Sequence, residues 1–156
     1  MRSVADFYQD CMAVAHALPP LDVQLADAVS CVLAEDVQAP FNLPVADLSA
    51  CDGYAVRVRD CEGATLESPV TLPVTEEIRA GAVDPAALVP GTAIRIASGA
   101  PMPSGAEAVV SLEFTDHGIA QVALRTAPAN GENIRRRAED VAQGDTVLRS
   151  GTRIGA

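Results

Sequence analysis

Ser49-Ala50-Cys51-Asp52-Gly53-Tyr54-Ala55-Val56-Arg57 is the stretch at which the chain changes its grammar. A carboxylate and a glycine stand directly before an apolar, strand-like run. Loops at strand ends are where binding carboxylates are displayed, so Asp52 can be read as a presented acid. An Asp-Gly pair is also a common turn, and the local spacing leaves both readings open. Downstream of it, Tyr54 to Arg59, Val70 to Val74, Thr92 to Ile96, Ala108 to Glu113 and Ile119 to Arg125 are short β-branched runs separated by Gly, Pro, Asn and Asp. Asp116-His117-Gly118 is the best local hairpin turn, with Gly118 supplying the positive φ. The pattern predicts a small β-barrel or β-sandwich-like domain.

Upstream the spacing is helical. Val4, Phe7, Tyr8, Cys11, Met12, Val14, Ala15 and Leu18 recur mostly at steps of three and four, which predicts an amphipathic helix closed by Pro19-Pro20. Leu25, Ala28, Val29, Val32 and Leu33 predict a second, with Asp27 at its positive end. An extended piece, Val37 to Leu43, follows. Near the end, Val147 to Leu148 and Thr152 to Ile154 flank a tight turn at Arg149-Ser150-Gly151. The fold class expected is α+β: an elongated helical lobe carrying an inserted β-rich domain. The stop at Gly155-Ala156, without a closing helix or polar tail, reads as a fragment boundary.

Composition narrows the function. Hydrophobic residues are 49% of the 156, but aromatics only 3% and Trp is absent. The core must therefore be built from Val, Leu, Ile and Ala, as two modest clusters rather than one large one. A net charge of -10 argues against nucleic-acid binding, because duplex affinity comes largely from basic side chains. Cys11, Cys31, Cys51 and Cys61 form no C-x-x-C pair and read as reduced thiols. No signal peptide and no run of 18 apolar residues occurs, so a soluble cytoplasmic protein without membrane contact is expected. Phosphate-loop, dinucleotide and H-E-x-x-H motifs are missing, and His16 and His117 read as surface residues.

Two further segments can carry chemistry. Ile94-Arg95-Ile96-Ala97-Ser98-Gly99-Ala100-Pro101-Met102-Pro103 delivers a hydroxyl and a glycine into a proline-stiffened loop. The amides around Ser98 and Gly99 can form an anion-binding nest, or the loop is a rigid connector. Arg135-Arg136-Arg137 repel one another in an otherwise acidic chain. They need carboxylates such as Glu132, Glu139 and Asp140, or a bound anion; a structural role is expected for at least one and phosphate contact for the others. Cys51 is a poor nucleophile, since Asp52 beside it disfavours the thiolate.

In this order, the segments resemble the N-terminal half of molybdopterin molybdenumtransferases (the MoeA and gephyrin E-domain family). The likeness runs from the first helix through Leu33 to Val37, Ser49 to Arg57, Ile94 to Pro103, Gly105 to Val110, Asn133 to Asp140 and Gly151 to Arg153. It implies residues 1–38 and 135–156 as a dimer-forming lobe (domain I) and 39–134 as the β-rich insertion (domain II). The family's pterin-binding α/β domain and C-terminal β domain are absent from this chain. It also implies an enzyme that inserts molybdate into adenylylated molybdopterin with release of AMP and a need for Mg2+. Its cleft lies between head-to-tail homodimer protomers, and a chain holding only the first two domains is inactive alone.

By that resemblance Asp52 is the functional aspartate, orienting a hydrated cation or the oxyanion's surroundings. Ser98 replaces the usual threonine but keeps its hydroxyl. Gly53, Gly99, Arg135, Arg136 and Arg137 are the substrate or anion contacts. The sequence departs from the family at Cys51 (usually Met), at Ser30-Cys31 (commonly Gly and a basic residue), at Leu112 (often polar) and at Ala138 (usually Gly). A non-catalytic module that docks other molybdenum-cofactor proteins is the alternative. A generic β-rich anion-binding domain is a weaker third.

Overall fold

The computed structural model describes residues 2–16 and 18–155. The chain separates into two units, Met1–Val37 with Leu148–Ala156, and Gln38–Val147. Residues 135–147 lie in the second of these. Among the described residues no helix is long and apolar enough to cross a membrane.

The first unit contains one α-helix, α1 (Val4–Val14), opened by a capping box in which Ser3 and Asp6 exchange side-chain to backbone hydrogen bonds. None of its residues is buried. The expected elongated helical lobe is not found. The second expected helix, Leu25 to Leu33, reduces to a single 3-10 turn at Leu25–Asp27. Its backbone groups go elsewhere: the amides of Ser30 and Leu33 donate to the carbonyls of Ile154 and Thr152, and that of Ile154 to Cys31. Ser30 has φ of 72°, a left-handed geometry no helix interior accepts. Helical spacing was present, but a non-local antiparallel partner at 152–154 won the hydrogen bonds.

β1 (Val37–Gln38) pairs with β9 (Thr146–Leu148) at the point where the chain divides into units. The second unit is built on strands, and in it β2 (Leu48–Ser49) pairs with β8 (Ile134–Arg135). The main sheet comprises β3 (Gly53–Val56), β4 (Val70–Ile78), β5 (Ala93–Ile96), β6 (Ala108–Ser111) and β7 (Gln121–Leu124), in the order β6-β3-β5-β4-β7. β4 runs antiparallel to β7 over Val70 to Pro73, then shifts register between Val74 and Glu76 and runs parallel to β5. That irregularity bends the sheet. A bridge between Thr115, just after β6, and Leu124 of β7 brings the two edges toward each other. The result is a curled, half-barrel sheet rather than a closed barrel or a sandwich.

Two core clusters occur, one on each face of this sheet. Tyr54, Val56, Ala93, Val110, Val122 and Leu124 pack on one face, and Ala55, Ile94, Ile96, Val109, Leu88 and Ala100 on the other. β3, hydrogen-bonded on both edges, is buried along its whole length. β4 extends further than its apolar run, because Thr75 to Glu77 lie on an exposed stretch where polar residues are tolerated. At the predicted hairpin the positive φ (61°) falls on His117 rather than Gly118. Gly118 is required for closeness, since a Cβ there would meet the Gln121 carbonyl oxygen at 1.7 Å. The Tyr54 hydroxyl donates to the Gly118 carbonyl at 2.9 Å and fastens this turn to β3.

Gly53 is needed for the same steric reason: its added Cβ would lie 2.2 Å from the Val110 carbonyl oxygen on β6. Gly53→Ala is therefore expected to cost roughly 1–3 kcal/mol, the usual range for overpacking, read as a lowered urea midpoint with an unchanged slope.

Candidate functional site

The Asp52 loop and the Ser98 loop lie side by side because β3 and β5 are antiparallel neighbours, with Gly53 opposite Ile96. The residue before β3 and the residues after β5 thus meet at one end of the sheet. The Ser98 amide donates to Asp52 Oδ1 at 2.7 Å, a charge-assisted bond at its short end. The Gly99 amide donates to the Ser49 carbonyl at 2.8 Å, and the Ser98 hydroxyl reaches the Ala50 carbonyl at 3.4 Å. The nest expected around Ser98 and Gly99 already receives an internal acceptor, the Asp52 carboxylate. Asp52 is exposed at a bend and Gly53 begins β3, an arrangement that accommodates both readings of Asp52-Gly53.

Asp52 opens onto a cleft of about 180 Å³, lined also by Gly53, Glu77, Arg95, Ile96, Ala97 and Leu112. Sequence reading missed Glu77, Arg95 and Leu112 as parts of this site. The signal for Arg95 was a charge inside the apolar run Ala93 to Ile96; Glu77 carried none, because its placement depends on the parallel pairing of β4 with β5. Arg95 also lies close enough to Tyr54 to oppose the upward shift that burial imposes on its phenol. The half-buried Cys51 thiol is pushed above its ordinary pKa, chiefly by burial, with Asp52, Glu113 and Glu132 adding to it against a hydrogen bond from Ser111. It is protonated at neutral pH. The Asp52 effect foreseen from sequence is present, but burial is the larger cause. Cys61 is pushed up to about 11, again by burial, and all four cysteines are free.

The arginine run is held largely by carboxylates. Arg135 Nη2 donates to Asp140 Oδ2 at 2.6 Å, and Arg136 Nη1 to Asp47 Oδ2 at 2.7 Å. The Arg136 and Arg137 amides donate to Glu139 and to the other Asp47 oxygen, each at 2.8 Å. Asp47 takes the part assigned above to Glu132, whose carboxylate instead accepts from the Ala129 amide. Of the three arginines of the run, Arg137 is the one whose guanidinium has no ion pair among the described residues. The run begins at the last residue of β8, which pairs with β2, so it starts beside the strand leading into the Asp52 loop. The Asn133 side chain donates to the Val109 carbonyl, and the Ala50 amide to the Asn133 carbonyl.

Among the described residues no group of three or more His, Cys, Asp or Glu side chains is arranged to hold a metal ion. The cleft itself offers Asp52 and Glu77. Two carboxylates suit a magnesium ion that keeps most of its water shell, not one caged by protein.

Fold and site together define a curled β-sheet domain that displays an aspartate locked to a serine amide at one sheet end. The family described as "MoeA N-terminal region (domain I and II)" matches residues 2–156, and the chain belongs to it. Molybdopterin molybdenumtransferase 2 of Mycobacterium tuberculosis is 50% identical over 151 residues, which are 97% of this chain and 37% of that protein. The molybdopterin molybdenumtransferase of Bacillus subtilis is 40% identical over 136 residues, 85% of this chain and 32% of that one. A crystal structure of the molybdopterin biosynthesis moeA protein from Pyrococcus horikoshii superposes with a TM-score of 0.79 at 39% identity, covering 85% of this chain and 35% of that chain. The chain spans about a third of the length of these relatives.

Two outcomes follow from the arginine run. Ala138 has φ of 64°, where a Cβ costs about 1–2 kcal/mol. Allowing for glycine's greater freedom when unfolded, Ala138→Gly is expected to raise stability by about 0.5–1 kcal/mol in equilibrium unfolding. Asp47 has its pKa lowered, first by the Arg137 amide and then by Arg136, against a cost of burial. Its stabilisation is thus full above the ordinary carboxylate range near 3.9 and is lost as pH falls through the lower folded value. The wild type is expected to exceed Asp47→Ala by about 1 kcal/mol at neutral pH, a gap that narrows to nothing in urea unfolding carried out at progressively more acid pH.

Proposed function

We propose that this chain supplies the Asp52–Ser98 face of a molybdopterin molybdenumtransferase. In that reaction molybdate is inserted into adenylylated molybdopterin and AMP is released. The single observation that carries the reading is the 2.7 Å hydrogen bond from the Ser98 amide to Asp52, which joins two separated motifs of the family into one unit. The relatives' names supply the substrate class. Ser98 fixes one carboxylate oxygen, leaving the other directed toward water or substrate. That oxygen would hold the hydrated form of a divalent cation, and such a cation would supply charge compensation for the oxyanion and the nucleotide phosphate. A carboxylate touching molybdate directly would repel it, so the role is an orienting one.

Arg137, with no ion pair of its own, is the arginine of the run best able to reach a phosphate; Arg135 and Arg136 hold the loop in place. The chain acts as part of a head-to-tail homodimer in the cytoplasm and is inactive without the rest of the enzyme. The uncovered apolar side chains of α1, among them Phe7 (60% exposed) and Tyr8 (63%), favour such an assembly.

The test is Asp52→Asn in the complete enzyme. The amide keeps the Ser98 contact but loses the charge, so molybdate insertion is expected to fall by about 10²-fold or more with an unchanged melting profile. Unaltered insertion would instead favour a non-catalytic module that docks other molybdenum-cofactor proteins.

A further inference from the structure

The cleft holding Asp52 contains a cation that the Asp52–Ser98 pairing leaves unused. Arg95 stands in β5, opposite Tyr54 of β3 and beside Glu77 of β4. Its strand neighbours Ile94 and Ile96 are 1% and 2% exposed, and it is half-buried itself. An arginine in the middle of a central strand gives up hydration and is normally compensated by a paired carboxylate. The register sets Glu77 next to it, yet Glu77 Oε1 instead accepts from Arg79 Nε at 3.3 Å. Among the described residues no ion pair reaches the Arg95 guanidinium. No buried side-chain nitrogen lacks a partner, so its unpaired N–H groups reach the surface, where Arg95 lines both the cleft beside Asp52 and a neighbouring hollow with Val74, Thr75, Glu76 and Ile119.

We propose that Arg95 binds a tetrahedral oxyanion, a phosphate group or a metal oxyanion, in the cleft beside Asp52. The proposal rests on the reading of that cleft as part of the substrate site. The planar guanidinium fork matches two oxygens of such an anion at once, and Ile96, Ala97 and Leu112 provide an apolar wall that strengthens the attraction. Asp52 and Glu77 oppose it. The anion is therefore held weakly until one of these charges is offset, which couples its binding to a cation on Asp52.

The experiment is an amide-resolved NMR titration of this chain with inorganic phosphate at constant ionic strength, repeated with sodium molybdate and with adenosine monophosphate. Saturable shifts are expected at the amides of Gly53, Ile96, Ala97 and Ser98. They should weaken at least about tenfold in Arg95→Gln and less in Arg95→Lys, which keeps the charge but not the fork. Glu77→Gln leaves Arg95 in place and removes an opposing charge, so affinity should rise about threefold or more.

Tighter binding of adenosine monophosphate than of phosphate identifies the anion as a nucleotide phosphate; tighter binding of molybdate identifies it as the metal oxyanion. Absence of saturable shifts, shifts confined to residues 135–138, or unchanged affinity in Arg95→Gln overturns the proposal. Should Arg95→Gln fail to fold, unchanged or weaker affinity in Glu77→Gln overturns it as well. The readout is binding alone: full activity of Asp52→Asn would sink the transferase reading and leave an oxyanion at Arg95 standing, whereas a silent titration would sink Arg95 only.

Discussion

β3 lies between β5 and β6, hydrogen-bonded to both, and its side chains enter the core clusters on both faces of the sheet. Four consecutive residues, Gly53 to Val56, are buried, and the first has no room for a Cβ. This doubly covered strand is the constraint on which the second unit depends. Its entry residue is Asp52, so the position of the carboxylate is set by the best-packed element of the fold, not by a free loop. The neighbouring β5 ends on Ile96 and delivers Ser98 at the same sheet end. A site assembled from the ends of two central strands inherits their rigidity.

The acidity of the chain has a second use in the loops. Carboxylates accept from backbone amides at Ser3, Val58, Gly91, Ser98, Gly118, Ala129, Arg136, Arg137, Ala142 and Ser150. With few long strands and short helices, many amides have no ladder partner, and at these mostly exposed turns a local carboxylate fixes the backbone through a charge-assisted bond. Asp and Glu supply acceptors where the backbone cannot. The bond between Ser98 and Asp52 belongs to this set, so the contact that joins the two candidate loops uses the same physical device as the turns around it.

Two residues with side chains fall on left-handed backbone at turns. Ser30 (φ 72°) and Ala138 (φ 64°) hold the geometry that glycine would take without strain. The conformation is imposed by hydrogen bonds from the amides of Ser30 to Ile154 and of Ala138 to Pro44. The fold therefore tolerates a local cost at these turns instead of rearranging them.

Much of this was legible in the residues themselves. The β-branched runs marked β3, β5, β6 and β7, the Asp52 and Ser98 loops were recognisable at strand ends, and the carboxylate neighbours of the arginine run pointed to internal pairing. These are local properties, carried by β-branched side chains, turn residues and charge within a few positions. Tertiary structure alone decided the rest. The helical spacing of Leu25 to Leu33 lost to a distant partner at 152–154. Asp47, far from the arginines in the chain, replaced Glu132 as their counter-ion. Glu77 and Arg95 entered the cleft through the parallel pairing of β4 with β5. Each depends on which remote backbone satisfies a given amide or lies beside a given strand, and a one-dimensional pattern carries no record of that choice.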